Sequence, residues 1–362
     1  MPCSRPLLDQ ASGLPVNCGS RFVAVCKHCS AVYRNDWLAI MRAGIFPPGT
    51  ERTGPATGYL WGLVTLTAPS FGRVHRVPKH PESARSGCGC GTTHRYQHQQ
   101  LAGVPLQPHG YDYAGSVRFN RDVGYLFNAT RQRMKRNYPN AEFVGVLEWQ
   151  ARLALHLHLV VRVPLADGDV FTNIAATLRS VTSTSPVDGT FVAWGEQAEG
   201  HLISSHDTAQ GSLSTTGYIS KVLQYAAKDW GREHDGQSEE RRAHADRMDR
   251  AAVLMPCGRV NKLGEPCEPG YGVVIPGGLP YRPDRAICPS KVHERYGLRQ
   301  KQVWASRGWA FDGLNRTKQR DSRREWARKQ AEKEERAAWA EASFDAAFGS
   351  SIRESDAHVA GA

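Results

Sequence analysis

Residues 153–163 read LALHLHLVVRV, and this run constrains the fold more than any other part of the chain. A strand repeats every two residues. Leu155, Leu157, Leu159, Val161 and Val163 therefore share one face, and His156, His158, Val160 and Arg162 share the other. The apolar face belongs on a core. The opposite face carries two imidazoles one residue apart, about 7 Å between Cα atoms on strand geometry, so both rings can converge on one cation. Two hydrogen-bonded histidines on a half-buried strand would fit the same string. Barrel hydrolases and cupins also carry H-x-H, but their further ligands are not found at the characteristic places.

Two histidines hold a divalent ion weakly, so a third ligand is needed. FVGVLEW at 143–149 reads as the preceding strand, and Gln150–Arg152 is short enough to close an antiparallel hairpin. That hairpin puts Glu148 beside His156 and His158. A mixed nitrogen and oxygen set with open positions suits Mg2+ or Mn2+, and both polarise phosphates. An exposed strand-end carboxylate is the plainer reading of Glu148.

GYISKVLQYAAKDWG at 217–231 reads as a helix bounded by glycines. It holds Tyr218 with Lys221, and Tyr225 with Lys228, on a face spanning about 80°. A phenol with a pKa near 10 is a weak nucleophile at neutral pH. A nearby ammonium or metal favours the phenolate and steadies charge on a phosphate. An amphipathic helix with solvated lysines and core-edge tyrosines fits the same pattern.

Elsewhere, GYLWGLVTLT at 58–67 reads as a buried strand and 119–136 as an amphipathic helix with a basic last turn. Residues 239–254 read as a polar helix, 256–290 as loop and 316–345 as a charged helix. The expected organisation is a cysteine-containing region at 1–55, a core at 56–235 with a Cys/His-rich insertion at 68–118, an accessory region at 236–310 and a charged tail at 311–362. Cys26-x-x-Cys29 and Cys88-x-Cys90 have zinc-ligand spacing. One structural Zn2+ joining the two pairs would staple the insertion to the N-terminal region, with Cys18 able to replace one member. Cys257, Cys267 and Cys288 are too spread to assign. No run of eighteen apolar residues and no signal sequence is seen, so a cytoplasmic protein without membrane contact is expected. The formal net charge of +11 fits a polyanionic partner. No phosphate-binding G-x-x-x-x-G-K-[ST] loop is present, so a fused helicase is not expected.

TLT at 65–67, HLH at 156–158 and YISK…YAAK at 218–228, in that order, resemble the three-motif plan of the HUH endonucleases. More closely, the chain resembles replication initiator proteins of actinobacterial plasmids and integrative elements. CGSRFVAVCKHCSAVYRNDW at 18–37, VTLTAPSFGRVH at 64–75, YDYAGSVRFN at 111–120 and EWQARLALHLHLVV at 148–161 carry that likeness. It runs from about residue 18 to 230 and continues weakly through 293–309.

The resemblance implies an α+β fold, a central antiparallel β-sheet with flanking helices. It implies a rolling-circle initiator that nicks one strand of a plasmid origin, single-stranded at the nick. Its tyrosine would form a 5′-phosphotyrosine, release a 3′-hydroxyl and later close the strand. His156, His158 and Glu148 would hold the cation, and a host helicase and replication machinery would be partners. Relatives commonly space the two tyrosines four apart. Here the spacing of seven separates them by about 10 Å rather than about 6 Å. QYAAKD at 224–229 resembles the single-tyrosine form, so Tyr225 with Lys228 is favoured, and Tyr218 with Lys221 stands second. The alternatives are an HUH transposase or relaxase, and a zinc-containing, non-catalytic DNA-binding regulator. Relaxases usually place the tyrosine before the histidines, the reverse of the order here.

Overall fold

The alternating histidine run folds as the middle strand of a five-stranded antiparallel sheet. The computed structural model describes residues 3–8, 15–21, 23, 25–49, 56–78, 80–81, 87–204, 238–260, 267, 290–293, 296–298 and 303–359. In chain order these form β1 (Leu7–Leu8), β2 (Pro15–Val16), α1 (Lys27–Ala43), β3 (Tyr59–Leu66), α2 (Tyr113–Asn137), β4 (Glu142–Trp149) and β5 (Leu155–Pro164). There follow α3 (Phe171–Arg179), β6 (Thr182–Thr184), β7 (Phe191–Ala193), β8 (Ala198–Ser204), α4 (Glu239–Val253), β9 (Val303–Ala305) and α5 (Arg316–Val359). The sheet order is β8-β3-β5-β4-β9. The expected α+β class, with a central antiparallel sheet and helices, is what the chain adopts.

The apolar face of β5 is covered by α2 and α3. Leu155, Leu157, Leu159, Val161 and Val163 join Val123, Leu126 and Phe127 of α2 and Phe171, Ile174 and Leu178 of α3 in one core. Burying each leucine fully contributes roughly 1.5–3 kcal/mol. Phe171, Ile174, Ala175 and Leu178 of α3 recur at three- and four-residue intervals, which puts them on one helix face. Gly62 of β3 lets α3 close on the sheet, since a Cβ there would lie 2.2 Å from the Phe171 ring.

The histidine face is covered at one end and half-open at the other. At the covered end Arg162 is buried rather than solvated. It donates to the carbonyls of Gly44, Gly308 and Trp309 at 2.7–2.9 Å and stacks 3.9 Å from the Phe311 ring centroid. Trp37, Ile40 and Met41 of α1 are buried as well. Helix α1 has no counterpart among the sequence expectations, which give Cys26 and Cys29 zinc-ligand spacing. Cys26 also caps this helix, its sulfur accepting from the Cys29 N–H at 3.5 Å.

Differences in element ends have local causes. Helix α2 begins at Tyr113, six residues before the amphipathic pattern, because Asp112 caps it by accepting from the Gly115 N–H at 2.7 Å. Leu153 and Ala154 belong to the β4–β5 turn, where Leu153 takes φ +60. Buried Asn120 compensates: its amide donates to the Leu153 and Tyr296 carbonyls and its oxygen accepts from Leu155 N–H. Residues 68–112 contain short 3-10 turns and an isolated Val74–Pro105 bridge, close to the loop expected. The fifth strand, β9, comes from the 236–310 stretch and pairs with β4. Met1–Gly313 and Leu314–Ala362 are separate compact units. The second is dominated by α5, longer than the charged pattern alone suggested and bearing exposed pairs such as Glu325–Lys329 at 2.9 Å.

The β4–β5 turn is clamped from several sides. Arg152 donates to the carbonyls of Ala68 and Pro69, and Arg241 of α4 donates to those of Ala102 and Ala151. His244 Nε2 donates to the Arg152 carbonyl at 3.2 Å, with its ring among Tyr111 and Tyr113. Burial pushes this imidazole down to about 4. A histidine held neutral in the fold but free to protonate when unfolded costs stability as pH falls from about 6.5 to about 4. At about 1.4 kcal/mol per tenfold of proton affinity, the loss reaches about 3 kcal/mol. Urea unfolding at pH 7 and pH 4.5 should therefore show a smaller acid loss in His244→Gln than in the wild type. Equal losses would contradict this account.

Candidate metal centres

The strand register brings the three anticipated cation ligands together. Glu148 on β4 lies directly across from His156 on β5, and His158 pairs with Val146 on one side and Thr65 of β3 on the other. Cross-strand partners point to the same face, so Glu148, His156, His158 and Thr65 form one polar patch. The Glu148 Oε2 lies 3.1 Å from His158 Nε2 and 3.5 Å from His156 Nε2, and the two rings are 4.3 Å apart at their centroids. Their ligand atoms all lie within 4.8 Å of one another. The side chains keep 12–16% of their surface exposed.

The electrostatics follow from this placement. Burial alone would raise the Glu148 carboxyl, but hydrogen bonds from His156 and His158, with their charge, outweigh it and hold it down to about 2. The group is thus a carboxylate throughout the neutral range. Thr65 supplies the orienting bond, with its hydroxyl 3.0 Å from His158 Nδ1. That bond fixes the ring and leaves Nε2 for the shared site, as second partners of metal-bound histidines do. The sequence reading included Thr65 in a motif but gave it no role. The signal was available in its position on a strand preceding the histidine strand. Two imidazole nitrogens and one carboxylate oxygen, held on adjacent strands, fit a divalent cation.

The sequence expectation of one zinc shared by Cys26, Cys29, Cys88 and Cys90 is corrected. Cys26 and Cys29 group with Cys3 and Cys18, while Cys88 and Cys90 group with His75 and His94. In the first group the Cys3 sulfur lies 3.8 Å from that of Cys26 and 3.6 Å from that of Cys29. Hydrogen bonding, chiefly from the Ser4 side chain, brings the Cys26 thiol down to about 5, and burial pushes Cys29 up to about 12. In the second, His75 Nδ1 lies 3.0 Å from His94 Nε2, and Cys90 Sγ lies 3.3 Å from the same Nε2. Cys88 Sγ is 3.7 Å from His75 Nδ1. Two ring nitrogens facing each other need a proton or a cation between them. Each sequence pair therefore finds its partners nearby, and all four donors of the second group lie within the 68–118 stretch. Cysteine spacing alone could not reveal the second group, because its other two members are histidines, 13 residues before Cys88 and 4 after Cys90.

The tyrosine segment 217–231, with Tyr218, Lys221, Tyr225 and Lys228, lies outside the described residues, as does Cys288. Among the described residues no helix is long and apolar enough to cross a membrane.

A family model described as "Replication initiator protein, pSAM2" matches residues 9–359. A replication initiator protein of Streptomyces ambofaciens is 33% identical over 181 residues, an alignment covering 44% of this chain and 37% of that protein. The chain thus matches well under half the length of this relative. No solved structure matches.

Proposed function

The chain belongs to the replication initiator family of pSAM2, and from that premise we propose that it is an HUH endonuclease that starts rolling-circle replication by nicking one strand of its origin. The observation that carries the reading is the juxtaposition of Glu148, His156 and His158 across β4 and β5. These residues would hold Mg2+ or Mn2+, which supplies polarisation of a phosphate oxygen when bound.

The chain's own groups do the rest. Glu148 contributes a fixed negative charge and His158, oriented by Thr65, a fixed nitrogen. The Tyr225 oxygen attacks the scissile phosphorus. An O–P bond forms, the bond to the 3′ oxygen breaks, and the phenol proton leaves as the 3′ oxygen takes one up. The products are a 5′-phosphotyrosine and a free 3′-hydroxyl primer. Lys228 steadies the phosphate charge, and Tyr218 with Lys221 is the second-ranked pair. Because the phosphodiester energy stays in the tyrosine ester, the same chemistry reversed closes the strand. A host helicase and replication machinery would extend the primer. The clusters Cys3–Cys18–Cys26–Cys29 and His75–Cys88–Cys90–His94 would each hold a structural zinc, the ion that thiolates and imidazoles favour.

The test is to incubate full-length protein, Mn2+ and a 3′-labelled single strand of the element's origin, then run a denaturing gel. A labelled band moving with the protein is expected. A strand that is bound but never cut would reject nicking and favour a DNA-binding regulator.

A further inference from the structure

One group of donors lies outside both the cation patch and the two clusters just described. Cys257, Cys267 and His293 place two sulfurs and an imidazole nitrogen within 4.8 Å of one another. We propose that these residues hold a further structural zinc ion, fastening the chain after α4 to the 290–298 segment.

The orientation of His293 carries the argument. Its Nδ1 lies 3.0 Å from the Ala252 carbonyl oxygen. A carbonyl only accepts, so Nδ1 carries the hydrogen and the Nε2 lone pair points the other way. That lone pair faces Cys267 Sγ at 3.3 Å. An outer Nδ1–carbonyl bond is the usual device that orients a metal-binding imidazole. Two thiols and one such nitrogen form a soft to borderline donor set, which suits zinc.

The backbone is arranged to present them. Gly258, at φ +69, turns the chain immediately after Cys257, and the Cys267 N–H returns to the Arg259 carbonyl at 2.9 Å. Both sides are tied to α2: Arg121 donates to the Pro256 carbonyl and Asn120 to the Tyr296 carbonyl, each at 2.8 Å. Cys257 and His293 are buried and Cys267 half-buried, so an ion here would be shielded from chelators. A thiol–imidazole hydrogen bond without metal is the competing arrangement, and it differs in one measurable respect.

Zinc content of the full-length protein decides between them. The folded Cys257→Ser/Cys267→Ser chain should contain one zinc equivalent less than the wild type. Cys88→Ser/Cys90→Ser should lose a separate equivalent, so that combining all four substitutions loses two. Unchanged zinc in Cys257→Ser/Cys267→Ser would overturn the proposal. Should that variant fail to fold, His293→Cys decides. Unchanged zinc content, with stronger thiolate-to-metal absorption after Co2+ replacement, supports the site. A cobalt spectrum identical to the wild type overturns it.

Discussion

Alanine at His156 or at His158 is expected to lower nicking by about 10^3-fold or more while binding of the origin strand stays largely intact. Each change removes one of three donors from a site where the remaining two are too few to hold a divalent ion firmly. Neither histidine supports the main core, which lies on the opposite face of β5. The fold should therefore survive, and the loss should be in chemistry. Thr65→Val provides a graded comparison. It removes the hydroxyl bonded to His158 Nδ1 and leaves all three donors. Its cost should be about 10–100-fold, the usual range for an orienting partner, and higher Mn2+ should recover part of it. The 3′-labelled origin strand reads all three variants on one gel. Full nicking by both alanine variants would remove these histidines from the cation site.

Tyr225→Phe is expected to abolish the protein–DNA adduct, because the oxygen that would form the ester is gone and its ring is otherwise unchanged. Tyr218→Phe should retain the adduct. On the helix expected from the sequence, a seven-residue offset would put the two phenols about 10 Å apart, too far to exchange freely on one phosphate. Digesting the adduct with protease and identifying the peptide that carries DNA measures the assignment directly. An adduct lost only in Tyr218→Phe would reverse the ranking and make Lys221 the companion lysine.

The cation patch was legible because a strand has a strict period. LALHLHLVVRV fixed which residues share a face, and the short Gln150–Arg152 link fixed the hairpin that delivers Glu148. The two cysteine-containing donor groups were legible only in part. Close-spaced cysteines announce themselves, whereas Cys3, His75 and His94 become ligand candidates only when a turn or a backbone bridge brings them in. Helix α1 is not announced by its sequence because its cap is a cysteine, Cys26, rather than one of the oxygen-bearing side chains that usually mark a helix start. The edge strands β8 and β9 carry few apolar residues in alternation, and their pairing depends on contacts distant in the chain.

The position of β5 also determines how little its two imidazoles can move. This strand has ladder partners on both sides from Leu157 to Arg162, and its turn is gripped by two arginines. Shifting either imidazole by a residue's width would break hydrogen bonds in two neighbouring strands at once and carry every leucine out of the core. The histidine pair thus behaves as a fixed anvil. Any group that meets Glu148, His156 and His158 therefore has to fit a surface that stays the same.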